Sequence, residues 1–475
     1  MSSEQAVANE GPRNGSVAEF LVVALPLMVS YGSLSLQFVI DRLFLTWEST
    51  HALAAVMPSS MLYWAVISLP MGVVTYVSTF VAQYAGAGQK ERVGASMWHG
   101  VYLAVLAGIL LLPMAAGAGH FFAWIGHSKD LQPLEATYFA VMMLGAVWML
   151  INAALSSFYI GLGCTWVVLC GNLLQTGLNI LLDYLLIFGK FGLPALGMRG
   201  AALATVLAGA GGTVFYVVWM LRSSKFRVYQ LRLRPLDRPL MARMMKFGLP
   251  NGMHQFLEVI CFTIFVQMVG WESENSNDMA ATSLAFALNT LTFAPMIGAS
   301  MAVSTLVGQR LGANQPEAAA RTTWTAFKLT AIYIGGFCCV YLFLPDLILL
   351  PYAANSSPAE FASLRERVIV LLRFVALYSI FDAMNMIFGS AIRGAGDTRF
   401  AMLFATSNGV LLLVLPTFAY YHLWGPNLLV AWSCMTLYLV VVGTGFCLRF
   451  LGGHWKTLRV IETPVDELAT SQATV

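Results

Sequence analysis

The sequence predicts an all-α membrane protein of twelve transmembrane helices, built as two parallel six-helix repeats. Three observations carry this. Hydrophobic residues make up 58% of the 475 positions and charged residues only 10%, whereas a soluble domain carries roughly 25% charged residues. The apolar runs are about 20 residues long and do not alternate, so they read as helices and not as the strands of a closed barrel. The third observation is a duplication. Val77–Glu91 (VSTFVAQYAGAGQKE) and Val303–Glu317 (VSTLVGQRLGANQPE) share nine of 15 positions at an offset of 226. Leu25-Pro26 is echoed by Leu249-Pro250, and Trp47-Glu48-Ser49 by Trp271-Glu272-Ser273, both at offset 224. Gly161-Leu-Gly-Cys-Thr165 is echoed by Gly394-Ala-Gly-Asp-Thr398, and Asn152 by Asn385, both at offset 233.

The elements follow in order. Residues 1–16 are polar and expected to be disordered on the cytoplasmic side. The next apolar run contains Pro26 and Asp41 and is too long for the h-region of a signal peptide, so it is expected to stay in the membrane. Six spans are read within 17–221: 17–46, 53–84, 93–117, 134–160, 165–189 and 198–221. A basic linker covers 222–242. Six further spans fill 243–451: 243–270, 279–311, 321–345, 367–391, 400–421 and 427–451. A polar tail runs over 452–475. An even number of spans per half makes the repeats parallel. Pro26 and Pro250 fall in the first helix of each half, Pro70 and Pro295 in the second. Each removes a backbone hydrogen bond and crowds the preceding turn, so each marks an expected bend.

Lys and Arg set the expected orientation. With the N-terminus inside, eighteen fall on the inner side, including Arg393 and eight between Arg222 and Lys246, against seven outside. Both termini are therefore expected in the cytoplasm, in the plasma or inner membrane. The seven cysteines lie in or beside apolar runs without metal-ligand spacing. No phosphate-binding loop, nucleophile constellation or zinc motif is present. The expectation is a non-enzyme with no cofactor and no nucleic-acid partner.

Carboxylates inside the spans are the sharpest signal, because an ionisable group in hydrocarbon costs about 2.5–3.5 kcal/mol on insertion scales. Asp41, Asp183 and Thr205 fall at a similar depth, roughly 8–11 Å below the outer surface at 1.5 Å per residue. Asn179 lies one turn from Asp183, and Gln37 one turn from Asp41. Such an oxygen cage suits Na⁺ or a shared proton; a surface acid paired with Arg42 is the competing reading of Asp41. In the second half, Glu258 and Asp382 fall near mid-membrane, with His254 and Tyr378 one turn away from each. Asp41, Asp183, Glu258 and Asp382 map by the repeat offsets to Phe265, Pro416, Leu34 and Met149. The scaffold is duplicated and the carboxylates are not.

These residues together resemble the multidrug and toxin extrusion (MATE) family. The resemblance rests on the two six-helix halves, on helix 1 with Pro26 and Asp41, and on the repeated G-A-x-Q turns. It rests also on Asn179-x-x-x-Asp183 with the Gly-Ala run ending at Thr205, and on Arg393-Gly-Ala-Gly-Asp-Thr-Arg399. It covers residues 17 to 450 and implies an N-lobe and a C-lobe around a central cleft. It also implies a cation-coupled antiporter. By resemblance, Asp41, Asn179, Asp183 and Thr205 match an N-lobe coupling site, and Glu258, Tyr378 and Asp382 match a C-lobe one. Gln37, Asn152, His254 and Asn385 are candidates for lining the cavity.

The expected function is export of small organic, cationic or amphipathic compounds by a monomer, driven by inward Na⁺ or H⁺. The alternatives are a lipid-linked oligosaccharide flippase of related architecture, or a receptor or channel that transports nothing by exchange.

Overall fold

A computed structural model describes residues 15–125, 128–229, 233–271, 276–353 and 358–462. The predicted disordered N-terminus lies almost entirely outside the described residues, as do Glu272-Ser273 of the second Trp-Glu-Ser echo and the tail beyond 462.

Among the described residues, eleven helices are long and apolar enough to cross a membrane. They are α1 (Val17–Glu48), α2 (Ala54–Gly86), α3 (Lys90–Trp124), α4 (Gln132–Gly161), α5 (Thr165–Phe188), α6 (Gly197–Arg222), α7 (Arg238–Gly270), α9 (Pro316–Phe343), α10 (Leu364–Ala395), α11 (Thr398–Trp424) and α12 (Leu428–Leu451). The remaining span, α8, is a pair, Asp278–Thr290 and Thr292–Gly312, bent by 43°. That bend sits four residues before Pro295, where the proline ring meets the carbonyl of the preceding turn. The expected bends at Pro26 and Pro250 do not break α1 or α7, which run unbroken through them. The break in α2 falls at Tyr76, beyond Pro70. There the Tyr76 hydroxyl donates to the Arg393 carbonyl of the other half at 2.8 Å. In α11 a π-helical turn at Gly409–Val414 precedes Pro416, which has no N–H to continue the regular ladder.

The linker is shorter than the charge pattern suggests. It forms a 3-10 turn at Ser224–Tyr229, and α7 already begins at Arg238. Asp237 caps it: its side chain accepts from the Leu240 N–H at 3.1 Å, with Pro239 in the first turn.

The packing repeats with the sequence. In the first half α2 packs on α4, α4 on α6, α3 on α4, and α1 on α5; in the second, α8 packs on α10, α10 on α12, α9 on α10, and α7 on α11. The halves meet through α1 against α8 and α2 against α7, two contacts that exchange under the repeat. At the face carrying the termini, the ends of α2 and α8 cross. A Cβ on Gly86 would strike the Gln309 carbonyl, and one on Gly312 would strike the Gln83 carbonyl. The duplicated stretch keeps glycine there because the two backbones touch.

Candidate ion and substrate sites

In the first half, α1, α5 and α6 bring four polar residues around one amide. Asn179 is fully buried on α5. With its amide nitrogen facing the carboxylates, it donates to Asp41 Oδ1 at 2.8 Å and to Asp183 Oδ2 at 3.2 Å. Thr205 Oγ1 lies 3.3 Å from the other end of the same amide. Gln37, also buried, sits 3.2 Å from the amide nitrogen. Arg42 is exposed, and among the described residues no ion pair ties it to Asp41, so Asp41 belongs to the cluster and not to a surface pair. Two carboxylates held by one amide concentrate negative charge where a small cation or a proton neutralises it. The Asp183 Oδ1 atom is buried with no partner among the described residues, which leaves an oxygen available to such an ion.

The second half holds a cavity of about 730 Å³, lined from α7, α8, α10, α11 and α12 and also by Thr75, Tyr76, Ser78 and Thr79 of α2. Glu258, Tyr378 and Asp382 all line it, together with His254 and Asn385. His254 Nδ1 approaches Glu258 Oε2 at 3.8 Å. Asn385 donates to Asp382 Oδ1 at 3.4 Å. The Tyr378 hydroxyl is buried with no partner among the described residues. Phe262, Phe286, Phe293 and Tyr438 supply aromatic wall between these polar groups. The two candidate cavity-lining residues of the first half are placed elsewhere. Gln37 belongs to the carboxylate cluster, and Asn152 packs against Gly212 and donates to the Gly209 carbonyl at 3.4 Å. Neither lines this cavity.

Sequence reasoning overlooked four lining residues: Asn251, Gln255, Asn289 and Arg393. Asn251, Gln255 and Glu258 follow one another at helical spacing on α7, a signal that reading carboxylates alone passes over. The charge count reads Arg393 as part of the inner rim; in the fold it lines the cavity, three turns along α10 from Asp382.

The MatE family profile matches this chain twice, at residues 26–185 and 250–417, so that the two matches begin at Pro26 and Pro250. A probable multidrug resistance protein NorM of Thermotoga maritima is 27% identical over 457 residues, which cover 93% of this chain and 94% of that one. A probable NorM of Burkholderia mallei is 30% identical, covering 81% of each. Among solved structures, an outward-facing multidrug resistance MATE family transporter of the MOP superfamily superposes with a TM-score of 0.82 at 20% identity, covering 93% of this chain and 96% of that chain. The eukaryotic MATE transporter AtDTX14 superposes with a TM-score of 0.83 at 18% identity, covering 92% of this chain and 96% of its own.

Proposed function

This chain belongs to the MatE family of multidrug efflux transporters, and on that footing we propose that it exports small organic cations or amphipathic compounds in exchange for Na⁺ or H⁺. The observation that carries the reading is the pairing of two unlike acidic sites on one duplicated scaffold. The first-half cluster of Asp41, Asn179, Asp183 and Thr205 is small, with Asn179 and Asp183 fully buried, and suits an ion. The second-half cavity, with Glu258, Tyr378 and Asp382, is large enough for a drug-sized molecule. Its acids would hold either the coupling cation or the substrate, so the two compete. Occupation of one site biases the packing of α1 on α8 and α2 on α7, which is what alternating access needs. The excess of Lys and Arg on the face where the described chain begins and ends supports a cytoplasmic position for that face.

The test is efflux from proteoliposomes under an imposed Na⁺ or H⁺ gradient. Antiport predicts that one of the two gradients accelerates substrate release and that collapsing it stops the acceleration. Release indifferent to both gradients would sink the exchange mechanism. Current without substrate movement would make the chain a channel.

A further inference from the structure

The chain after α12 is a strap, residues 452–462, that crosses from the second half to the first. Gly453, at φ 72°, turns the backbone off α12, and a 3-10 turn follows at His454–Thr457. The strap is rooted in its own half. Trp455 is buried, stacks on Phe450 at 4.8 Å and donates its Nε1 to the Phe450 carbonyl at 2.8 Å. Lys456 reaches Glu317 at the start of α9 at 2.8 Å, and Arg459 donates to Asn314 at 3.1 Å. The end of the strap then reaches the first half. The Val460 N–H donates to Gln83 Oε1 at 2.9 Å. Glu462 accepts from Tyr84 Oη at 2.6 Å and lies 3.6 Å from Arg92. Glu462 also pairs with Arg243, in the second turn of α7.

The duplication shows what Glu462 replaces. On one side of the junction, Glu19 of α1 pairs with Arg310 of α8 and joins the halves directly. At the repeat offsets of 224 and 226, Glu19 maps to Arg243 and Arg310 maps to Tyr84. The second copy of this contact has lost its carboxylate, and a guanidinium facing a phenol forms no ion pair. Glu462 bridges the two, accepting from both. A residue on a strap stands where the scaffold lacks its own acid. Such an acid can leave without any helix moving, which the built-in Glu19–Arg310 pair cannot do. Separation of the halves at this face has to part Tyr84 from Arg243, and so has to break the bridge. We propose that the strap is a latch: Glu462, docked between Arg243 and Tyr84, holds this face shut, and its release precedes the parting of the halves there. The inference rests on the alternating-access reading and adds the element that regulates it.

The experiment measures the distance between the halves by pulsed EPR, on the whole chain in nanodiscs with no ion gradient. Spin labels go on Lys90→Cys and Ala313→Cys, exposed positions at this face in opposite halves, with the seven native cysteines replaced by serine or alanine. The parent should show a dominant short distance and a minor longer one. Glu462→Gln keeps the shape and removes the charge. It should raise the long-to-short ratio about threefold to tenfold, the range for a partly exposed charge-assisted bond. A chain ended after Arg459 should raise it at least as much. Glu19→Gln, which breaks the built-in pair between the halves, is the positive control. Asp346→Asn, which breaks a pair with Arg365 inside the second half, is the negative one. If Glu19→Gln raises the ratio while both strap variants keep the parent value, the latch is overturned and alternating access stands. If Asp346→Asn raises it as far as Glu462→Gln does, the loosening is general and the latch is overturned too. If Glu19→Gln and Glu462→Gln combined never yield the longer distance, the halves do not part, and the latch falls together with the mechanism.

Discussion

Gln83 donates its side-chain amide to the Gly394 carbonyl at 3.0 Å, and its repeat counterpart Gln309 donates to the Gly161 carbonyl at 2.8 Å. Each glutamine reaches from its own half into the opposite one, and the two acceptors are themselves repeat counterparts. The crossed pair clasps the halves together at the face carrying the termini. Gln83 does more than its twin, because its Oε1 also accepts the Val460 N–H at 2.9 Å and so ties down the segment after α12. Gln83→Ala therefore strands more buried backbone groups than Gln309→Ala. A stranded buried group costs about 1–3 kcal/mol. Gln83→Ala should lower the melting temperature more than Gln309→Ala, measured on detergent-solubilised protein. Equal shifts would show that the Val460 contact contributes nothing.

The glycines beside this clasp give a second test. Gly86 and Gly312 let the α2 and α8 backbones touch, and a methyl group at either one collides with a carbonyl that cannot move aside. Gly86→Ala and Gly312→Ala should each push the halves apart at that face. A cysteine placed at Ser304, on the cavity floor, reads this out. Its labelling by an impermeant maleimide from the side of the termini should rise several-fold in both variants over the parent, in line with a shift of about 1–2 kcal/mol between closed and open forms. Unchanged labelling in both would mean that the crossing does not seal the cavity.

Much of this was legible in the sequence, and for a physical reason. Hydrocarbon length fixes span length, so composition alone located the helices, and the price of a buried charge singled out Asp41, Asp183, Glu258 and Asp382. What escaped it depends on direction and not on identity. Arg393 sits in the last turn of α10, and spacing cannot tell a residue there that faces lipid headgroups from one that faces a cavity. Gln83 and Gln309 were visible as a repeated motif, but their partners lie 311 and 148 positions away in the chain. The break at Tyr76 has no local proline to announce it, and the hydrogen bond from its hydroxyl to the Arg393 carbonyl joins residues 317 positions apart.

The segment after α12 folds back on this face and forms an ionic knot there. Glu462 pairs with Arg243 and accepts from Tyr84 Oη at 2.6 Å, while Arg92 bridges Asp237 at 2.6 Å and Glu462 at 3.6 Å. Burial by itself raises the Asp237 carboxyl, but the Leu240 N–H and the Arg92 guanidinium outweigh it and hold the group below its ordinary value of 3.8. A carboxyl depressed by folding contributes stability above its unfolded value, and that contribution is lost as the pH falls through the lower folded value. Asp237→Asn keeps the helix cap and removes only the charge. Its melting temperature should lie below that of wild type by a constant amount from pH 8 to about 5, and the gap should close below about pH 4. A gap that changes between pH 6 and 8 would show that the Asp237 charge is not its source.

The first-half cluster makes the sharpest demand on the proposed mechanism. Asp41 and Asp183 are joined through one Asn179 amide, so they act as a single site and not as two independent charges. Asp41→Asn and Asp183→Asn should each lower gradient-driven efflux at least about tenfold, and the double variant should be no worse than the weaker single one, since residues that act as a unit are not additive. Asp382, in the other half and in the cavity, shares no hydrogen-bond partner with them among the described residues. Its loss should multiply with that of Asp41→Asn if both halves take part in coupling. Thr205→Val removes a hydroxyl that only borders the amide and should cost less than either aspartate. Initial rates of substrate release from proteoliposomes under a fixed gradient measure every single and double variant. Full additivity of Asp41→Asn and Asp183→Asn would mean that the two acids bind separate ions, and the shared cage would have to be abandoned.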